Sequence, residues 1–416
     1  MFNGVVPMAA PIMQILSRSL CSVRLFCFFT VLGVLAMAGA ATAQADRLIS
    51  IGSRDSLWSD VLGEERPYWV YLPASYDDAR YALVDYPVLY LLDGDTHFHL
   101  ATGVVQFMSE GANANIQIPE MIVVGVPSSN RTRDLTPTHT TNRPNGGHDA
   151  TLSASGGGDA FLAFLNQELV PAVEEAYRAK PYRVLVGHSF GGLMALHAFL
   201  DAPDLFQAHV AIDPSLFWDD EILVRQAEQL TTNPASRPRV VYLSLSGHPP
   251  GGRMDGPARS FASALASQAS SRLRSTLERY DDESHGSVPL LSLYRGLRFV
   301  FDGYGVTSRQ LFDAPERLGE HFAAASRRSG VTWEPPERIL DLLGHSFLNA
   351  GLLDKAVALF TVNTSTHPTS FNAFASLAEA QAVGGRTALA VQAYTRSLEL
   401  SPDNSLVRRA LDRLRR

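Results

Sequence analysis

The stretch Gly187-His188-Ser189-Phe190-Gly191-Gly192 sets a serine between glycines two places before it and two places after it. A serine hydroxyl is a weak nucleophile unless it is exposed beside a base. A sharp strand-to-helix turn provides the exposure, but it crowds the positions two before and two after the serine. Glycine at 187 and 191 removes that clash and lifts Ser189 Oγ above the sheet. Residues 184–186 read as a buried strand and 193–200 as a helix, so the pattern has the context it needs. A helix starting at Phe190 directs unbonded N–H groups toward a developing oxyanion. Ser189 is therefore the candidate nucleophile, and a structural turn serine is the alternative.

The base must follow the serine at some distance, because sites of this type run serine, acid, histidine along the chain. His209, His248, His285 and His321 are within reach. His209 begins a strand and His321 lies on a helix far downstream. His248 sits in a Pro/Gly loop where an acid is expected. His285 lies in Asp281-Asp282-Glu283-Ser284-His285-Gly286-Ser287, directly after the strand expected at 275–280, and is the candidate general base. The acid should follow the strand at 240–244. Asp255 is the only acid in the loop 247–258, so it is the candidate, with a helix N-cap as its other reading. Asp213, Asp282 and Glu283 compete with it. A serine–histidine pair oriented by a carbonyl or water is a further option.

An oxyanion needs two donors. One is the Phe190 N–H. The second should come from the loop after the strand at 88–92, where Asp93-Gly94-Asp95 permits a tight turn that aims the Asp95 N–H inward. The same two carboxylates would also suit a turn with calcium affinity.

These residues need a scaffold. Short apolar runs at 66–72, 87–92, 121–126, 183–186, 209–212 and 240–244 suit strands buried on both faces. Helical patterns at 159–178 and 191–201 lie between them. The alternation indicates an α/β domain, a doubly wound and mostly parallel sheet over residues 46–305. Residues 127–158 lack apolar periodicity, and so long a loop is either functional or a surface insertion. A helical linker follows at 306–336. From 337 to 416 the pattern is all helical and repeats at 34 residues. Leu340, Leu343, Gly344, Phe347, Ala356, Phe360 and Pro368 recur as Phe374, Leu377, Ala378, Gln381, Ala390, Tyr394 and Pro402. This matches two tetratricopeptide repeats, with 404–416 as a capping helix. Two repeats are too few to stand alone, so they should lean on helix 315–328, on the sheet domain or on a second subunit.

Composition narrows the function classes. The chain has 416 residues, 46% hydrophobic, with a net charge of −7. Mild acidity argues against nucleic acid as a partner. Residues 1–45 carry no acidic residue, place Arg18 and Arg24 near the apolar run 25–40, and end in small residues. That order reads as a secretory signal peptide. The 16-residue apolar run falls short of the roughly 20 needed to span a bilayer. Cleavage after Ala45 leaves 371 residues with 33 basic and 42 acidic side chains, a net charge of −9. It also removes Cys21 and Cys27, the only cysteines, so no multi-cysteine metal site is expected. The expected product is periplasmic or extracellular, with no stable membrane span.

The motifs taken together resemble the esterase D and enterobactin-esterase-like group of α/β-hydrolases. The matching stretches are Tyr90-Leu91-Leu92-Asp93-Gly94-Asp95, Asn130-Arg131-Thr132-Arg133-Asp134-Leu135-Thr136-Pro137, the serine motif, and Glu283-Ser284-His285-Gly286-Ser287-Val288-Pro289. The resemblance covers about residues 50–303. It implies hydrolysis of carboxylic esters through an acyl-serine, with the amides of Asp95 and Phe190 as the oxyanion hole. It also implies that Arg131, Arg133 and Asp134 line the site, and His188 is assigned to substrate binding with them. Many relatives carry a glutamate after the strand that corresponds to 240–244, where this chain has Gly247-His248-Pro249-Pro250.

The expectation is an exported serine esterase acting on a small-molecule ester, with no metal and no organic cofactor. Acyl transfer to another acceptor, or a non-catalytic protein that binds a partner or itself through the tail, are the alternatives. With chemistry limiting, the rate should rise with pH across about 6.5, where a free imidazole loses its proton. A pH profile from 5 to 8 checks this, and a flat profile counts against a histidine base.

Overall fold

Four of the strands contribute only buried side chains, which explains their short and largely apolar sequences. They are β3 (Tyr86–Leu92), β4 (Ile122–Val126), β6 (Ala208–Ile212) and β7 (Arg239–Ser246). The computed structural model describes residues 49–416 apart from 111–115, 143–146, 231–235 and 269–271. The expected export segment, 1–45, lies outside the described residues. With β1 (Ser53–Ser59), β2 (Glu64–Tyr71), β5 (Ala179–His188) and β8 (Leu273–Tyr280), these strands form one sheet. Its order is β1-β2-β4-β3-β5-β6-β7-β8. β2 runs antiparallel to both β1 and β4, and every other pairing is parallel.

The parallel register fixes where chemistry can occur. Leu91 pairs with Val186, His188 with Ile212, Ile212 with Ser244, and Ser246 with Tyr280. The carboxyl ends of β3, β5, β6, β7 and β8 therefore share one edge. Along β3, Leu89 and Leu91 face one core while Val88, Tyr90 and Leu92 face the other. Helices cover both faces, as period-two burial on both sides demands. α1 (Gly94–Glu110) lies on the first face. The second face carries α3 (Gly158–Phe164), α4 (Val170–Ala176), α5 (Phe190–Asp201), α6 (Trp218–Gln229) and α7 (Asp255–Ser267). α8 (Val288–Val300) returns to the first face, and a single-turn α2 (Arg131–Asp134) sits in the long loop.

Three local features differ from the sequence expectation. β1 was not expected: five of its seven residues are exposed, and an edge strand has no apolar run to announce it. The helix expected at 159–178 is interrupted by a π turn, Leu165–Leu169. Pro171 follows that turn in the first turn of α4 and cannot donate the next ladder hydrogen bond. The loop 127–158 is not irregular throughout. Asn130 caps α2 and Asp149 caps a 3-10 turn, Ala150–Leu152.

Beyond the sheet come α9 (Ser308–Asp313) and α10 (Leu318–Ser329). Then follow α11 (Glu337–Asn349), α12 (Leu353–Thr366), α13 (Phe371–Val383), α14 (Thr387–Leu400) and α15 (Ser405–Leu414). Both ends of α11 and α13, and of α12 and α14, are offset by 34 residues. At the crossing of α11 and α12, a Cβ on Gly344 would lie 2.3 Å from the Phe360 ring. One repeat later Ala378 and Tyr394 share the small terminal core.

The helical part is not a separate body; Gly52–Arg416 forms one compact unit. Ile339, Leu340, Phe347 and Phe360 join the same core as β3, α1 and α8. Trp333 seals the seam, edge-on to Tyr182 at 5.4 Å, Phe301 at 5.9 Å and Tyr304 at 5.5 Å. Polar ties flank it: Lys180 Nζ donates to Thr332 O at 2.8 Å, and the Ala82 N–H donates to Glu337 Oε2 at 2.7 Å. Lys355 Nζ donates to Phe312 O at 2.7 Å, so the repeats also lean on the segment before α10. No described helix is long and apolar enough to cross a membrane.

Because Trp333 is 6% exposed and touches three aromatic rings, Trp333→Ala should cost about 3 to 5 kcal/mol. Urea unfolding measures this, and sheet and helix signals should be lost in one shared transition.

Candidate active site

Three strand ends at the common edge turn through backbone that side-chain-bearing residues rarely adopt. Asp93 has φ 53°, Ser189 φ 60° and Asp213 φ 43°, each immediately after its strand. Such positions cost about 1 to 3 kcal/mol each and persist where the surroundings over-determine them. At the serine the surroundings are explicit. A Cβ on Gly187 would lie 2.1 Å from Gly191 O, so no larger residue fits under the turn. The Ser189 N–H donates to Ile212 O at 2.9 Å, and the Ser215 N–H donates to Ser189 O at 3.2 Å. Ser189 Oγ lies 3.4 Å from Ser215 Oγ, and Ser189 as a whole is half-buried.

His285, from the loop after β8, comes to the same place. Its ring stacks at 4.4 Å on that of His188, the residue before the serine. Its Nδ1 donates to Asp213 Oδ2 at 2.7 Å, which leaves Nε2 for proton exchange. Asp213 has no exposed surface. It also accepts from Ser246 Oγ at 2.7 Å, from the Ser246 N–H at 3.2 Å and from His248 Nε2 at 2.8 Å. Burial pushes the Asp213 carboxyl up, but the hydrogen bonds from His285, Ser246 and His248 outweigh it and hold it at about 2. Asp213, His248 and His285 bring three donor atoms within 4.8 Å of one another, a spacing also open to metal ligands. Here both rings are hydrogen-bonded to the one carboxylate.

Asp255 is not where the sequence argument put it. It heads α7, fully buried, and pairs with Arg259 at 2.9 Å and with Arg279. The carboxylate on His285 is Asp213, because β6 lies beside β5 and ends at the level of the serine. Asp134 is a second correction. It is 1% exposed and bound to Arg66 at 2.7 Å and Arg133 at 2.6 Å, so it offers nothing to a substrate. Arg133 is committed as well, through Glu64 at 2.6 Å. Glu64 is held at about 2 by hydrogen bonds from Arg133 and Arg66.

Arg131 does reach the site. Its Nε and Nη2 grip both oxygens of Asp93 at 2.9 and 3.0 Å, and Nη2 also donates to His188 O at 3.1 Å. Its guanidinium lies over the Phe190 ring at 5.3 Å. The clamp joins the two turns that start α1 and α5, whose first amides include those of Asp95 and Phe190. These N–H groups have no partner inside their own helices. Phe190 and Trp218 form an edge-to-face wall at 5.2 Å, and Trp218 Nε1 donates to Thr138 O at 3.2 Å, which pins the long loop. His209 and His321 lie elsewhere: His209 is buried between Phe199 and Phe206, and His321 bonds Tyr304 O at 3.0 Å.

A family model described as "Putative esterase" matches residues 59–250. The Ferri-bacillibactin esterase BesA of Bacillus subtilis is 30% identical over 228 residues, 52% of this chain and 78% of that protein. The chain belongs to this esterase family of α/β-hydrolases. The Siderophore enterobactin esterase of Emericella nidulans is 29% identical to this esterase over 254 residues, 51% of this chain and 81% of the relative. Among solved structures, an IroE-like serine hydrolase from Shewanella oneidensis superposes with a TM-score of 0.67 at 30% identity. That match covers 76% of this chain and 99% of the other. The homologues are ester hydrolases, in keeping with the strand order and the position of the serine turn.

Burial holds the His188 ring down at about 4, with His285 and His97 adding to the effect, and holds the fully buried His209 at about 3. A free ring titrates at 6.5, so the unfolded chain takes up these protons first. The stability carried by the neutral rings is complete above pH 6.5 and is lost as pH falls toward 4 and then 3. The thermal midpoint should fall across that window, and His209→Leu should flatten the fall.

Proposed function

We propose that this esterase is an exported serine carboxylesterase. The observation that carries the proposal is the bond from His285 Nδ1 to buried Asp213, with the ring stacked on the residue before Ser189. Ser189 Oγ attacks the ester carbonyl while His285 Nε2 takes its proton. Asp213 fixes the tautomer and stabilises the imidazolium. The oxyanion is held by the amides of Asp95 and Phe190, on turns tied together by Arg131. His285 returns the proton to the leaving alcohol, then activates water to release the acid from the acyl-serine. The chain's own side chains handle every proton.

The names of the relatives make siderophore esters the first substrate class to examine, and the half-buried Phe190 ring beside the serine offers an apolar contact to the acyl group. The sequence of residues 1–45 supports export. The 34-residue helix register supports reading 337–400 as two tetratricopeptide repeats with α15 as cap.

With p-nitrophenyl acetate, Ser189→Ala should lose about 10⁶ in kcat. A fluorophosphonate probe should label wild type at Ser189. Equal activity in wild type and Ser189→Ala overturns the assignment. Asp213→Asn should lower kcat by about 10⁴, while Asp255→Asn stays within about tenfold of wild type. The reverse order would restore Asp255 as the acid.

A further inference from the structure

We propose that His248 is a positioning residue for the reaction: a second histidine that fixes the carboxylate on which the base depends. The inference rests on the assignment of Ser189, His285 and Asp213 above, and it concerns a residue outside that triad.

His285 is poorly held by packing, with 43% of its side chain exposed. Its orientation comes from the His188 ring and from the bond to Asp213. The geometry of the base is therefore only as fixed as Asp213. A buried carboxylate short of donors is costly and free to rotate toward any it can find. Ser246 supplies two donors and His248 Nε2 supplies another, at 3.0 Å from Oδ1 and 2.8 Å from Oδ2. A carboxylate only accepts, so the proton of His248 lies on Nε2.

His248 is itself braced. Its N–H donates to Ser246 O at 2.7 Å, and its carbonyl accepts from Arg279 Nη2 at 2.9 Å. Arg279 is paired with Asp255 and, at 2.6 Å, with Asp281. Asp255 also accepts from the Gly251 N–H at 2.8 Å, closing the loop that carries His248. Asp255 thus acts at a remove: it steadies Arg279, which steadies His248, which steadies Asp213.

The arrangement has an electrostatic signature. Each donor on Asp213 draws electron density from the carboxylate and leaves less for His285. Removing the His248 donor loosens the base but strengthens its remaining bond, which favours the imidazolium. The other groups facing His285 are His188 at the end of β5 and Asp213 after β6. His97 on α1 lies behind His188, at 5.7 Å from it. All of these are unchanged by substitution at 248, so a shift in the pH profile reports on His248.

The test is kcat and KM for p-nitrophenyl acetate from pH 5 to 9 in four full-length proteins. They are wild type, His248→Ala, His248→Asn, whose amide is too short to reach Asp213, and His248→Gln, whose amide N–H is long enough. His248→Ala and His248→Asn should lower kcat about tenfold with KM within about twofold, the size of one lost charge-assisted hydrogen bond. Their acid limb should move up by about half a pH unit or more, and His248→Gln should restore kcat to within about threefold, with the limb near wild type. If His248→Ala melts early, the Asn and Gln pair carries the comparison. Identical profiles in all four proteins overturn the proposal. So does equal loss in Asn and Gln with an unmoved acid limb, which a packing role would produce. Ser189→Ala runs alongside: full activity there overturns the assignment beneath this proposal, and this proposal with it.

Discussion

Asp213 is a charge with no exposed surface, and the active edge of the sheet is organised around keeping it ionised. Desolvation works against the charge, and only donated hydrogen bonds reverse that. The donors come from the end of β7, from the loop after β7 and from the loop after β8. Two consecutive connections thus converge on one residue after β6. A parallel sheet makes this possible, because every strand in the run ends on the same side. An antiparallel arrangement would send alternate loops to the opposite edge.

A second set of buried charges does for the long loop what Asp213 does for the strand ends. Arg66 on β2 is 1% exposed and meets Asp134, which meets Arg133, which meets Glu64. Removing one member would leave an uncompensated charge in the interior, unlike the small effect of a surface ion pair. Arg131, two residues from Arg133, can therefore lie across Asp93 and His188 from a fixed base. The Arg-Thr-Arg-Asp stretch divides its labour: one arginine reaches the site, and the other two charged residues hold the loop in place.

The serine turn and the histidine loop were legible because local rules govern them. Glycine spacing, a strand before and a helix after mark the turn at Ser189, and a place directly after the last strand marks the loop of His285. The acid was not legible by the same route. Asp213-Pro214 at a strand end reads as a turn, and its partners lie 33 to 72 residues away. Only the sheet register brings them together. Asp255 satisfied chain order but not register. Asp134 matched a motif, yet its deciding partner, Arg66, lies 68 residues upstream on a strand with an ordinary sequence. Edge strand β1 has no apolar pattern to read, and the π turn before α4 depends on one proline. The spacing of the tail helices was readable because a 34-residue period carries its own internal check.

The aromatic seam at Trp333 bears on how the chain matures. A polypeptide delivered amino end first completes β8 well before residue 333 becomes available. Until then Tyr182, Phe301 and Tyr304 have no lid, and the lower side of the sheet is an unfinished apolar surface. Such surfaces are where newly made chains associate wrongly. Residue 333 and helices α11 and α12 close the first face of the sheet only after every strand of that sheet has been made. The two faces of one sheet thus close at different times, the second from its own helices and the first only with the tail.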